Sequence, residues 1–86
     1  MTKNIDKKML EKLTALAIKA RSHAYAPYSN HPVGAALLTD KDNIYAGANV
    51  ETAHYKGLCG EASAIAAMSS AGERKIRAVV VIGPGE

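Results

Sequence analysis

The sequence predicts an α/β domain in the order helix, strand, strand, helix, strand, and three observations predict it. Apolar residues recur three and four apart across the first two dozen positions, two short apolar runs flank a polar turn, and a small-residue helix precedes a β-branched run. Residues 1–86 are read as one domain. At that size a core is only modestly stable, and oligomerisation, a metal or a partner often adds to it. The apolar fraction is an ordinary 48%, but much of it is alanine, with no Phe or Trp and four Tyr, so the elements must approach closely rather than interdigitate large side chains.

From about Ile5 to Ala24, the residues Met9, Leu13, Leu16, Ala17, Ala20 and Ala24 share a face with charges between them, as in an amphipathic helix. Tyr25-Ala26-Pro27-Tyr28-Ser29-Asn30 ends it, because the residue before a proline is pushed out of the helical region and Ser and Asn suit a turn. Val33 to Leu38 and Ile44 to Val50, joined by the polar stretch Thr39 to Asn43, read as an antiparallel hairpin. A second helix runs from about Cys59 to Ala71, with Gly72 as its stop.

Arg77 to Ile82 is a β-branched run without alternation, the pattern of a strand covered on both faces. A strand that follows a helix in this way is expected to pair parallel to an earlier one through a right-handed crossover, here beside the first strand of the hairpin. Such a placement leaves a bare apolar edge, which invites pairing. Either further chain after Glu86 or a partner is expected to cover it.

Composition excludes several classes. The net charge of +3 comes from scattered cations, with Lys7, Lys8, Lys12 and Lys19 on one helix among apolar residues. That is a solvated face, not a nucleic-acid patch, and no concentrated basic stripe with interleaved aromatics suggests a single-stranded polynucleotide. The N-terminal MTKNIDKKML lacks the apolar stretch of a signal peptide, no run reaches membrane-spanning length, and one cysteine rules out an internal disulfide. A cytoplasmic protein with no membrane or nucleic-acid partner is expected.

The chemistry is concentrated in Cys59-Gly60-Glu61, at the start of the second helix. A helix N-terminus is electropositive, which favours a thiolate and a carboxylate, and a thiolate is the metal-binding form of cysteine. Asn49 and Glu51, two apart at a strand end, point to one side of the sheet, and an amide with a carboxylate suits sugar hydroxyls, which both donate and accept.

Together, Tyr25-Ala26-Pro27-Tyr28-Ser29, Val33-Gly34-Ala35-Ala36, Asn49-Val50-Glu51 and Cys59-Gly60-Glu61 resemble, in order and approximate spacing, the N-terminal two thirds of the small cytidine deaminases. The resemblance implies a cytidine deaminase-like, three-layer core that lacks the C-terminal helix and strands, and hydrolytic deamination of cytidine or deoxycytidine in pyrimidine salvage. It implies one zinc ion per chain, with Cys59 the first of three ligands and Glu61 the proton carrier beside a zinc-bound water whose pKa falls to about 7. It implies that Asn49 and Glu51 hold the ribose hydroxyls, that His31, Val33, Ala35 and Gly60 belong to the substrate pocket, and that the protein is a homo-oligomer, a tetramer or a dimer.

The sequence also departs from that pattern. The family's other two ligands come as Pro-Cys-x-x-Cys after the last strand, which this chain does not contain, and a lone thiolate cannot hold a catalytic zinc. His31 stands where Phe is usual, Gly60 where Ala is usual and Ala62 where many relatives carry Arg, and the stretch from Glu51 to Cys59 is one residue short. His31 and His54 are candidate substitute ligands, since imidazole and thiolate both suit zinc. The alternatives are a catalytically inactive remnant that binds nucleoside weakly or only oligomerises, and an unrelated small α/β domain with chance motifs; for Cys59 itself the plain alternative is a small buried hydrophobe.

Overall fold

The structure, a computed structural model, describes residues 6–51 and 59–83. Asp6 opens the first helix, α1 (Lys7–Arg21), by accepting the Met9 N–H on Oδ1 at 2.8 Å, and Lys19 and Arg21 lie in its last turn where the carbonyl ends favour cations. Leu13 and Ala17, two of the residues that the periodicity assigns to the inner face, are fully buried.

The hairpin forms as β1 (Gly34–Thr39) and β2 (Ile44–Ala48), paired antiparallel from Gly34↔Ala48 to Leu38↔Ile44, with Asp42 taking a φ of 67° in the turn. Helix α2 (Gly60–Ser70) follows, then β3 (Ile76–Ile82). Gly72, at φ 93°, supplies the left-handed residue that ends α2, as expected for a glycine just past a helix.

The sheet order is β2-β1-β3. The last strand does lie beside β1, but β1 and β3 pair antiparallel, from Gly34↔Ile82 to Thr39↔Ile76, which corrects the expectation of a parallel neighbour. The strands that run the same way are β2 and β3, joined through α2, with β1 between them. A hairpin reverses the chain before the crossover begins, so a crossover that skips one strand must land antiparallel to the strand it skipped to reach.

Helix α1 packs on one face of this sheet and α2 on the other, which makes three layers. Side chains alternate accordingly. Ala36 and Leu38 join Leu13 and Ala17 under α1, with Ile44, Ala78, Val80 and Ile82 packed around them. Ala35 and Leu37 join Ala64 and Met68 under α2, with Tyr45 against them. Every residue of β1 is buried, so the strand covered on both faces is β1, and β3 is covered on the α1 face only. Val79 and Val81, on its α2 face, are 48% and 46% exposed.

Glycine sets how closely the helices lie. A Cβ on Gly34 would sit 2.0 Å from the Ala17 carbonyl oxygen in α1, and one on Gly47 would sit 2.5 Å from the Ala64 nitrogen in α2. The small-residue composition therefore has a geometric use: each helix crosses the sheet backbone to backbone.

The sheet's edges differ. Beyond β2, Tyr25 and Val50 form a parallel bridge, with the Tyr25 N–H donating to the Asn49 carbonyl at 3.0 Å and the Glu51 N–H to the Tyr25 carbonyl at 2.8 Å. Among the described residues no strand pairs with the outer edge of β3.

One buried carboxylate was not anticipated. Glu73, 7% exposed, accepts from Asn43 Nδ2 and from the Tyr45 hydroxyl on Oε2, each at 2.8 Å, and so ties the α2–β3 connection to the hairpin. The hydroxyl of Thr39 already accepts the N–H groups of Lys41 and Asn43, which leaves its proton free for Glu73. That hydroxyl, then Asn43 and Tyr45, hold the Glu73 carboxyl below its ordinary range against the opposing effect of burial, with Lys41 adding a favourable charge.

Candidate functional site

Cys59 occupies the N-cap of α2 with extended backbone (φ −71°, ψ 160°), and its carbonyl accepts the Ser63 N–H at 2.9 Å, so the helix starts where the sequence places it. Its thiol is free and exposed and makes no capping hydrogen bond. Glu61 follows in the first turn, exposed, at the end of the helix where a carboxylate is favoured. An outward-facing thiol and a carboxylate thus share the first turn of a helix that continues with Ala62, Ser63 and Ala64.

Val33 connects this helix start to the strand-end pair. Its N–H donates to Asn49 Oδ1 at 2.9 Å, and its carbonyl accepts the Asn49 N–H at 3.1 Å. Its side chain lies under Gly60, where an added Cβ would come within 2.9 Å of Val33 Cγ1 and 3.3 Å of the Val33 carbonyl oxygen. An alanine at position 60 would need Val33 to give way, so the glycine found there matches the close seating of α2 on this residue.

Asn49 and Glu51 both reach the segment before β1. Asn49 Nδ2 donates to the His31 carbonyl at 3.0 Å, while Glu51 Oε1 accepts the N–H groups of Tyr28 at 2.9 Å and Ser29 at 3.0 Å, and Oε2 accepts the Ser29 hydroxyl. The Ser29 hydroxyl and N–H, then the Tyr28 N–H and the charge of His31, hold the Glu51 carboxyl below its ordinary range. His31 is exposed at the rim of this cluster and Val33 is half-buried within it. Ala35 is fully buried beneath α2 in the cluster with Ala64 and Met68. Its place in a pocket motif reflects the alternation of β1: position 35 points at the helix that carries Cys59.

Sequence reasoning missed Ser29 and Tyr28 as partners of Glu51. Ser29 lies inside one of the matching strings, but the residue it serves is 22 positions away. The substitute ligand His54 and the stretch from Thr52 to Leu58 lie outside the described residues. Among the described residues no group of three or more His, Cys, Asp or Glu could hold a metal ion. A catalytic zinc takes three protein ligands and an open position, so Cys59 is a candidate first ligand and the described residues do not complete a zinc site.

Residues 7–83 match the family described as the cytidine and deoxycytidylate deaminase zinc-binding region. The chain belongs to that family. A cytidine deaminase of Sporosarcina psychrophila is 44% identical to it over 78 residues, covering 90% of this chain and 57% of the relative. One of Halalkalibacterium halodurans is 44% identical over 80 residues, covering 91% and 58%. Among solved structures, the cytidine deaminase of Mycobacterium leprae superposes with a TM-score of 0.84 at 35% identity, covering 94% of this chain and 66% of that one. That of Burkholderia pseudomallei gives 0.80 at 42% identity, covering 85% and 60%. The chain therefore spans a little under three fifths of the length of these curated relatives. Family membership supports zinc as the cofactor, and among the described residues no helix is long and apolar enough to cross a membrane.

Proposed function

We propose that this chain supplies the sugar-binding and proton-carrying half of a zinc-dependent hydrolytic deaminase that converts cytidine and deoxycytidine to uridine and deoxyuridine, a reaction of pyrimidine salvage in the cytoplasm. The observation that carries the proposal is the linkage through Val33. Asn49 brackets its backbone and Gly60 seats on its side chain, so the amide suited to a sugar is linked through one residue to the helix start that presents Cys59 and Glu61, while Glu51, two positions on, holds Tyr28 and Ser29 in the segment that leads into Val33.

In this reading Asn49 and Glu51 orient the sugar, and Glu61 moves a proton between the attacking water, the ring nitrogen and the departing ammonia. Cys59 contributes one thiolate toward the zinc ion. Further ligands must come from residues other than those described. A homo-oligomer, tetramer or dimer, fits the close-packing alanines of α2 and its exposed Ile65.

The second reading is a non-catalytic member that binds nucleoside weakly or only oligomerises. One experiment separates the two: zinc content of protein purified without chelators, with ammonia release from cytidine and deoxycytidine. Turnover that falls by about 10²–10⁴ in Glu61→Gln at unchanged zinc content, with zinc lost in Cys59→Ala, is the expected result. Neither zinc nor turnover in the unaltered protein overturns the enzymatic reading in favour of the second.

A further inference from the structure

Glu51 is the most heavily engaged side chain at the site. Its carboxylate gathers the N–H of Tyr28, the N–H of Ser29 and the Ser29 hydroxyl, while that same hydroxyl oxygen accepts the His31 N–H at 3.1 Å. Between them Asn30 turns through a left-handed φ of 63°, with its N–H bonded to the Ala26 carbonyl at 3.0 Å. The segment from Ala26 to His31 is thus wound around one carboxylate, and Ser29 is the only residue in it that touches both carboxylate oxygens.

We propose that Ser29 is a positioning residue for Glu51: its N–H and its hydroxyl grip opposite oxygens of the carboxylate and set the plane in which the one remaining acceptor direction faces a ligand. A carboxylate offers about four acceptor directions. Among the described residues three are occupied, two on Oε1 and one on Oε2, which leaves one direction on Oε2 for a further donor. The backbone donors both act on Oε1 and cannot by themselves stop the second oxygen from turning. The hydroxyl can, and through His31 it couples that orientation to the loop that Asn49 also holds at the His31 carbonyl. The proposal rests on the reading of Glu51 as the group that accepts a sugar hydroxyl only for its consequence in binding, not for the positioning itself.

The test compares Ser29→Ala and Ser29→Thr with the unaltered chain in two measurements. The first is the NMR titration of the Glu51 side-chain carboxyl without ligand, for which His31 is the charged group that also faces it. Ser29→Ala is expected to move that titration up toward the ordinary carboxylate range, and Ser29→Thr, which keeps a hydroxyl, is expected to restore it. The second is affinity for cytidine against 1-methylcytosine, which has the base without the sugar. Loss of a hydrogen bond that orients a charged acceptor is expected to weaken cytidine by about tenfold and leave 1-methylcytosine unchanged. An unmoved Glu51 titration in Ser29→Ala overturns the positioning role. A titration that moves while cytidine and 1-methylcytosine weaken alike, or do not bind, upholds the positioning of Glu51 and overturns its assignment to the sugar.

Discussion

The two faces of the sheet are finished to different degrees. Under α1, side chains from all three strands meet Leu13 and Ala17, and Arg21 Nη1 donates to the Gly83 carbonyl at 2.7 Å to close the far end of β3. Under α2, among the described residues, β1 and β2 carry the core, beneath a shorter helix rich in small residues, and Val79 and Val81 stand open beside it. Yet Cys59, Glu61 and the seat of Gly60 are all on the α2 side. The difference divides cohesion from the proposed chemistry: α1 holds the sheet together, and α2 presents Cys59 and Glu61 from a layer left partly open over β3.

The strongest way to break this comparison is at the helix crossings. In Gly34→Ala the new Cβ meets the backbone of α1 at 2.0 Å, so a loss of about 3 kcal/mol or more is expected in urea unfolding. In Gly47→Ala the approach to α2 is 2.5 Å and the displaced layer is smaller, so a loss of about 2 kcal/mol is expected. A larger loss at Gly47 would mean that α2 is the cohesive layer.

Cavity-forming changes sharpen the same contrast. Leu13→Ala is expected to cost about 3 kcal/mol and Met68→Ala about 2 kcal/mol, because the open α2 side can collapse around the missing atoms more readily than the closed α1 side. Thermal or urea unfolding of the two variants measures it.

Glu73→Gln tests the polar tie between the α2–β3 connection and the hairpin. The folded chain holds this carboxyl below its ordinary range, so its contribution is present above the unfolded value and is lost as pH falls through the folded one. A midpoint lowered at neutral pH, with a shallower decline on acidification than in the unaltered chain, is expected from thermal unfolding over an acid pH series. An equally steep decline would mean that Glu51, depressed by Ser29, carries the acid sensitivity.

The smallest effect is expected at the open strand. Val79→Thr keeps the branched shape on the uncovered face of β3 and is expected to change stability by no more than about 0.5 kcal/mol. A large loss would show that the α2 face of β3 is covered in solution.

Sequence by itself determined what local periodicity can carry. The spacing of Met9, Leu13 and Ala17 makes α1, the polar stretch Thr39 to Asn43 turns the hairpin, Gly72 stops α2, and Cys59 and Glu61 mark where that helix begins. Each of these follows from residues within a turn or two of one another. The tertiary structure alone decided that β3 runs antiparallel to β1, that the strand buried on both faces is β1, and that Ala35 is core while Ser29 belongs to Glu51. An unalternating apolar run reads the same whether a second layer covers it or not. A hydroxyl and a carboxylate 22 residues apart leave no mark in any local pattern, because only the folded sheet brings their two loops to the same end.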